Sequence, residues 1–276
     1  MTPEICPGCD GAEFRSLKVR AREVTIKVCV GCGLHINTGG VGAARAAREG
    51  TYEGAYHGRQ ERYARRKLRS ATFRMRLIEG LMAPGKLLDI GCSVGHFVQA
   101  AGRSGWDAWG VDISQYAVGV CRQRGLQAKI GDMRRLDFPD DTFDVVNLRH
   151  VLEHDWELRA CLAEIRRVLK TGGLLVLEVP CVDCWQVRIL RGKRSKFWRP
   201  VHCYFFSGKS VRSIMARAGY DEVRMPLYGR AALSGGVGES LRFLAWRTAK
   251  LLKGLVGVSS AHVSVWRKPA PVCDRQ

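Results

Sequence analysis

The sequence contains no apolar run approaching the roughly 20 residues that would cross a bilayer. Its opening, MTPEICPGCDG, lacks a charged start followed by an apolar core, so a soluble, cytoplasmic protein is expected. Acidic residues are scarce: 26 Asp and Glu stand against 45 Lys and Arg, for a formal charge of +19. There is no internal repeat and no low-complexity segment. What is present, 276 residues of which 46% are hydrophobic, suits one large domain with a small appendage and a buried core rather than a disordered tail. With an intracellular chain expected, its eleven cysteines are expected as free thiols and metal ligands, because the cytosol keeps thiols reduced.

The charge is unevenly placed. Residues 81–181 hold 12 Lys and Arg against 13 Asp and Glu, a balance of −1 that leaves +20 for the flanks. Two runs dominate, RQERYARRKLRSATFRMR (59–76) and RILRGKRSKFWR (188–199). Each alone reads as a solvated face. Flanking a neutral block, they also suit an anionic partner: a phosphate-bearing small molecule, a nucleic acid or a membrane surface.

The first forty residues are Gly- and Cys-punctuated and predict a small β module (1–40). Residues 41–80 lack proline and carry Leu68, Phe73, Leu77 and Ile78 at helical spacing, which predicts a basic helical linker. From 81 to 276 the pattern is strand and helix in alternation. The strands are KLLDI, DAWGVDI, AKIGD, FDVVNL, LLVLEV, DEVRM and HVSVW, with helices near 95–103, 115–123 and 157–170. Such alternation predicts an α/β fold with a doubly wound, mostly parallel seven-stranded sheet; of the last two strands, one is expected antiparallel at the edge. A cover loop is placed at 182–206. An insertion at 229–258, with Leu241, Leu244, Leu252 and Leu255 among basic residues, reads as a lid, a membrane-surface helix or a helix packed on its own domain.

The loop in LLDIGCSVGHF (87–97) lacks the glycines of a dinucleotide site. Counted from Gly91, the second and third positions of G-x-G-x-x-G are Ser93 and His96. Asp89, at the carboxyl end of its strand, would also repel a pyrophosphate. A cofactor with a cationic centre meets no such objection, and S-adenosylmethionine carries both an ammonium and a sulfonium. Gly91 and Gly95 would let the backbone approach it closely. Asp112, with Ile113 after it, lies 21 residues beyond Gly91, where a carboxylate accepts from ribose hydroxyls. Asp132 would accept from the adenine amino group, with Met133 against the ring.

LLDIGCSVGHF, VDIS, GDMRRLDFPDDTFDVV, HVLEH and VLKTGGLLVLEVP resemble the ordered motifs of class I S-adenosylmethionine-dependent methyltransferases, over about 86–225. The pattern departs at Ser93, where Gly is usual. FWRPVHCYFFSGKSVRSIMARAGY (197–220) resembles a segment of the subgroup that methylates small molecules, sugars and lipids.

Methyl transfer from a sulfonium needs an aligned acceptor and a place for its proton. His150, Glu153 and His154 in RHVLEHD are spaced i, i+3 and i+4, so on a helical turn they share a face, and a neutral His there would serve as general base. This stretch is similar to the ubiquinone O-methyltransferases, in which Glu, Glu and His at these positions bind a divalent cation; here His150 stands for the first Glu. The bland alternative is that Glu153 and His154 only support the cofactor loop. His202 is a second candidate for substrate contact, or a packing residue. HVLEH also fits a zinc-protease pattern, which lacks the rest of its context here.

Cys6-x-x-Cys9 and Cys29-x-x-Cys32 are two knuckles separated by 19 residues. Four thiolates so spaced can bind Zn(II), or iron, in a closed structural site that holds together a module too small to hold itself. A third pair, Cys181 and Cys184, reads as core.

The reading that follows is a methyltransferase acting on an oxygen, or a carbon, of a small-molecule, sugar or lipid acceptor. An RNA methyltransferase is the alternative, since certain ribosomal RNA guanine methyltransferases resemble this arrangement of ribbon and domain. Against it, the ribbon is near neutral, with 5 Lys and Arg and 4 Asp and Glu in the first 40 residues. A catalytically silent binding module is the third possibility.

Overall fold

The computed structural model describes residues 4–19, 24–39, 63–183, 198–223 and 261–270. The insertion at 229–258, residue 40 of the β module, residues 41–62 of the basic linker and positions 184–197 of the cover loop, Cys184 among them, lie outside the described residues.

The chain opens with three short strands, β1 (Phe14–Leu17), β2 (Ile26–Cys29) and β3 (His35–Asn37), followed by helix α1 (Ala64–Glu79). The alternating part then runs β4 (Lys86–Ile90), α2 (His96–Arg103), β5 (Asp107–Asp112), α3 (Gln115–Gln123), β6 (Gln127–Ile130), β7 (Phe143–Arg149), a 3-10 turn (Leu152–His154), α4 (Leu158–Val168) and β8 (Leu169–Pro180). β9 (Tyr204–Phe205), α5 (Gly208–Arg217), β10 (Asp221–Val223) and β11 (Ala261–Arg267) complete it.

Seven strands form one sheet in the order β10-β11-β8-β7-β4-β5-β6. β8, β7, β4, β5 and β6 are mutually parallel, and β11 runs antiparallel to β8 and to β10. The antiparallel strand is therefore one place in from the edge, not at it. β11 pairs with β8 from Ala261 to Arg267 and buries Val265 and Trp266, whereas β10 is three residues long with Asp221 and Glu222 exposed. A short charged strand is the one suited to an unpaired rim.

Successive residues of the central strands point to opposite faces. Leu87, Val145, Leu174 and Val176 pack with Ala71, Met75 and Ile78 of α1 and with Phe97 and Ala101 of α2. Leu88, Val146, Leu175 and Leu177 face Leu162 and Ile165 of α4 and Ile214 and Met215 of α5. α4 ends at Val168, two residues short of the expected limit, because Leu169 is already extended and enters β8. Ser114 caps α3 by accepting from Ala117 N–H at 3.2 Å, and Ser207 with Ser210 forms a capping box on α5.

A second, four-stranded antiparallel sheet has the order β1-β2-β3-β9. Its fourth strand comes from the cover segment, not from the first forty residues. The N-terminal module also shares its core with the large sheet: Cys6, Cys29, Cys32, Leu34 and Ile36 lie in one cluster with Leu148, Leu152, Tyr204, Phe206 and Ile214. No described helix is long and apolar enough to cross a membrane.

Candidate active site and metal centre

The carboxyl ends of the parallel strands gather the site, as expected for ligands of open α/β sheets. After β4 the chain turns through Gly91 (φ +70°), Ser93 (φ 49°) and Gly95 (φ +80°) into α2. Part of the glycine requirement is internal to the protein. A Cβ on Gly91 would stand 2.3 Å from Val151 Cγ2, and one on Gly95 would stand 2.6 Å from Leu126 Cδ1 and 2.8 Å from Cys121 Sγ. Packing and positive φ thus add to close approach of a ligand as reasons for glycine at these positions.

Asp112 ends β5. Its Oδ2 accepts from Ser93 N–H at 2.8 Å and its Oδ1 from Ser114 N–H at 3.0 Å, so the carboxylate is aimed by the glycine loop and by the start of α3. Ile113 beside it is exposed. Asp132 holds Arg134, whose Nη2 donates at 2.8 Å and whose backbone N–H donates at 2.9 Å. Met133 is buried in the core cluster.

Asp89 is 5% exposed, and its Oδ1 accepts from Asn147 Nδ2 at 2.6 Å on the neighbouring strand. Burial pushes its carboxyl up to about 7, against the pull of Asn147 and Arg74. Close by, Glu178 of β8 accepts from Arg74 Nη1 at 2.9 Å and from Arg149 Nε at 3.1 Å, and His150 Nε2 lies 3.4 Å from its other oxygen. His150 Nδ1 is 3.2 Å from Glu153 Oε1. Burial lowers the His150 pKa, but the bonds to Glu153 and Glu178 outweigh it and push the ring up to about 9. His150 is thus a cation at neutral pH, not the neutral base expected from its spacing. It also sits at φ 54°, tied by its N–H to Glu178 O at 2.9 Å, a left-handed position that histidine tolerates better than most residues. The Lys67 ammonium is pushed down by burial and then by Arg149, Arg66 and Arg74. Lys67, Arg74, Arg149 and His150 face Glu178, Glu153 and Asp89, four cationic groups against three acids, which leaves this wall a small excess of positive charge.

His154 and His202 behave differently. His154 Nδ1 lies 3.1 Å from Val201 O; a carbonyl only accepts, so Nδ1 carries the proton and Nε2 the lone pair. Burial lowers the His154 pKa. The His202 ring stands edge-on to it with centroids 4.8 Å apart, and burial, then His154, pushes His202 down to about 2. Both rings are neutral at pH 7. Glu153, His154 and His202 each offer one donor atom, and the three atoms lie within 4.8 Å of one another. The structure therefore joins three of the four acceptor-side candidates and sets His150 apart as their charged neighbour.

The cysteines form the second centre. Cys6 Sγ lies 3.6 Å from Cys32 Sγ, and Cys9 Sγ lies 3.4 Å from Cys29 Sγ. Disulfides would need about 2.0 Å, whereas the edge of a tetrahedron with Zn–S bonds of about 2.3 Å is about 3.8 Å. Gly11 and Gly31 crowd the cluster, since a Cβ on either would stand 3.3 Å from Cys9 Sγ. Asp10, between the knuckles, pairs with Arg159 of α4 and Arg217 of α5.

Glu178, Arg74, Arg149 and Asn147 went unnoticed in the sequence. The signal available was polarity out of place: an acid inside the apolar LLVLEVP strand and an amide inside FDVVNL.

A family model described as a methyltransferase domain matches residues 57–224. A ubiquinone/menaquinone biosynthesis C-methyltransferase of Burkholderia mallei is 33% identical over 181 residues, covering 55% of this chain and 72% of that protein. Among solved structures, a SAM-dependent methyltransferase from Archaeoglobus fulgidus aligns with a TM-score of 0.55 at 21% identity over 78% of this chain and all of that one. A SAM-dependent methyltransferase from Thermotoga maritima, described as a possible histamine N-methyltransferase, aligns at 0.50 and 22% identity over 64% of this chain and 81% of that one. The chain belongs to the methyltransferase domain family and is an S-adenosylmethionine-dependent methyltransferase.

Proposed function

We propose that this enzyme moves the methyl group of S-adenosylmethionine to an acidic O–H or C–H position of a small-molecule acceptor, with carbon the favoured atom because the curated relative is a C-methyltransferase. The observation that carries the acceptor class is the cover. His202, Cys203, Tyr204, Phe205 and Phe206 are buried over the strand ends, and the cover is fixed by Cys203 N–H donating to Glu153 O at 2.8 Å and by β9 pairing with β3. A roof bonded on two sides suits a small acceptor better than a folded RNA or a membrane surface.

In this reading the donor lies along β4, β5 and β6. Asp112 accepts from the ribose hydroxyls next to Ile113, Asp132 and Met133 border the adenine, and Asp89 faces the cationic methionyl end. The cationic wall of Lys67, Arg74, Arg149 and His150 receives a carboxylate, from the methionyl end or from the acceptor. Glu153, His154 and His202 take the acceptor's proton as the methyl carbon is displaced in line from sulfur, a transfer that alignment alone accelerates strongly. The cysteine quartet (Cys6, Cys9, Cys29, Cys32) holds a structural Zn(II), and residues 1–40 act with the cover as one supporting unit.

Incubation with methyl-labelled S-adenosylmethionine and fractionated cell extract tests this reading. Label is expected in the small-molecule pool; label confined to RNA, lipid bilayer or protein would overturn the acceptor class.

A further inference from the structure

We infer that Lys67 and Arg149 bind a carboxylate on the methyl acceptor, so that the enzyme selects acidic small molecules over neutral ones; this rests on the small-molecule transfer reading above and names its substrate class.

The cations of the wall differ in how far their charge is already used. Arg74 is committed to the interior: its Nη1 donates to Glu178 Oε2 at 2.9 Å, its side chain is 11% exposed, and its guanidinium lies 5.4 Å over the Phe97 ring. It also pulls on Asp89, which faces the methionyl end in this reading. Arg149 is committed by one edge alone. Its Nε donates to the same Glu178 oxygen at 3.1 Å, while neither Nη group makes a hydrogen bond or ion pair among the described residues, and 32% of the side chain is exposed.

Lys67 has still less. No hydrogen bond or ion pair joins its half-buried ammonium to a described residue, yet it stands near enough to Arg149, Arg66 and Arg74 to be repelled by each. Glu178 attracts it more weakly than any of the three repels it, being already shared by Arg74, Arg149 and His150. Repulsion between like charges grows as water is excluded, so Lys67 beside the open edge of Arg149 is a costly pairing that an anion between them would relieve. The open edge of a guanidinium fork matches a carboxylate. One cation in excess over the three acids of the wall balances a single negative charge, which favours a carboxylate over a phosphate dianion.

Position assigns that carboxylate to the acceptor rather than to the cofactor. Lys67 precedes Arg74 by seven residues on α1, two turns or about 10 Å along the axis, so the two share a face with Arg74 at the Asp89 end and Lys67 beyond it. Arg149 ends β7 and leads directly into the turn that carries Glu153 and His154, the residues that address the acceptor's proton.

The test separates a charge on the acceptor from one on the cofactor. The small-molecule filtrate of a cell extract is split on an anion exchanger at neutral pH into retained acidic and unretained neutral pools. Each pool is incubated with methyl-labelled S-adenosylmethionine and the full chain as wild type, Lys67→Gln or Lys67→Arg. Wild type is expected to label the acidic pool. Lys67→Gln should raise the amount of that pool needed for half-maximal transfer at least about tenfold, the loss of one hydrogen bond to a charged group, and Lys67→Arg should recover most of it. The Kd for S-adenosylmethionine should stay within about twofold in both variants, which also verifies that they are folded. Label confined to the neutral pool, or equal half-maximal amounts for Lys67→Gln and wild type, would overturn the inference. So would a Kd for S-adenosylmethionine raised about tenfold in Lys67→Gln, since the anion would then be the methionyl carboxylate. Absence of transfer to either pool would sink the small-molecule transfer reading; the carboxylate site is then decided by titrating benzoate into the chain saturated with S-adenosylhomocysteine, which already fills the methionyl end. Benzoate binding at least about fivefold tighter in wild type than in Lys67→Gln would uphold the site, and equal or absent binding would overturn it.

Discussion

Asn37, at the end of β3, donates from Nδ2 to the backbone carbonyl of His202 at 3.1 Å and to that of Pro200 at 3.2 Å. Its own N–H donates to Cys203 O at 2.9 Å. A fully buried amide of the cysteine module thus holds the backbone on either side of the His202 ring. Asn37→Ala would leave the buried His202 carbonyl and the half-buried Pro200 carbonyl without this donor and cost about 1–3 kcal/mol of stability. Methyl transfer is expected to fall about tenfold or more while the Kd for S-adenosylmethionine stays within a factor of two, because Asp112 and the glycine loop do not touch Asn37. Strong chelation, by removing the Zn(II) proposed for the quartet, should act in the same direction. Calorimetric titration beside a transfer assay reads both quantities; cofactor affinity falling in parallel with transfer would contradict this division.

Gly91 and Val151 form a steric pair. Gly91→Ala would place its Cβ 2.3 Å from Val151 Cγ2 at φ +70°. The left-handed backbone alone costs about 1–2 kcal/mol for a residue with a Cβ, and the overlap adds to it. Val151→Ala should recover part of the loss, so a double-mutant cycle in thermal unfolding is expected to give a coupling above about 0.5 kcal/mol. Strict additivity would show that the contact is not what selects glycine.

Asp89 sets a pH dependence. Its carboxyl titrates near 7 in the folded chain, raised by burial, against about 3.9 when unfolded. The folded state therefore holds the proton longer, and the contribution of this group to stability falls as pH rises from about 4 to about 7, then levels. Cofactor binding runs the other way, since a cationic methionyl end favours the carboxylate: affinity should weaken up to about tenfold per unit as pH drops below 7. Asp89→Asn should flatten the profile. A wild-type Kd constant from pH 5.5 to 8 would remove Asp89 from the cofactor site.

The sheet was legible in the sequence because buried parallel strands are near-continuous apolar runs broken by glycine turns, as in KLLDI before Gly91. The strand-end acids at 89, 112 and 132 were legible for the same reason: they terminate such runs. The raised pKa of His150 was legible only in part: Glu153, three positions on, pulls it up first, but Glu178, which adds to that pull, lies 28 positions away on β8. The role of Asn37 was hidden likewise, since nothing near NTGG announces a bond to a carbonyl 165 positions on.

In the proposed reaction, donor and acceptor functions sit on separate residue sets at the strand ends. Measuring S-adenosylmethionine Kd and single-turnover methyl transfer on Asp112→Ala, His154→Gln and the wild type separates the two sets. Asp112→Ala is expected to lose cofactor binding, while His154→Gln binds the cofactor normally and transfers at least about a hundredfold more slowly. Tight cofactor binding by Asp112→Ala, or wild-type transfer by His154→Gln, would contradict it.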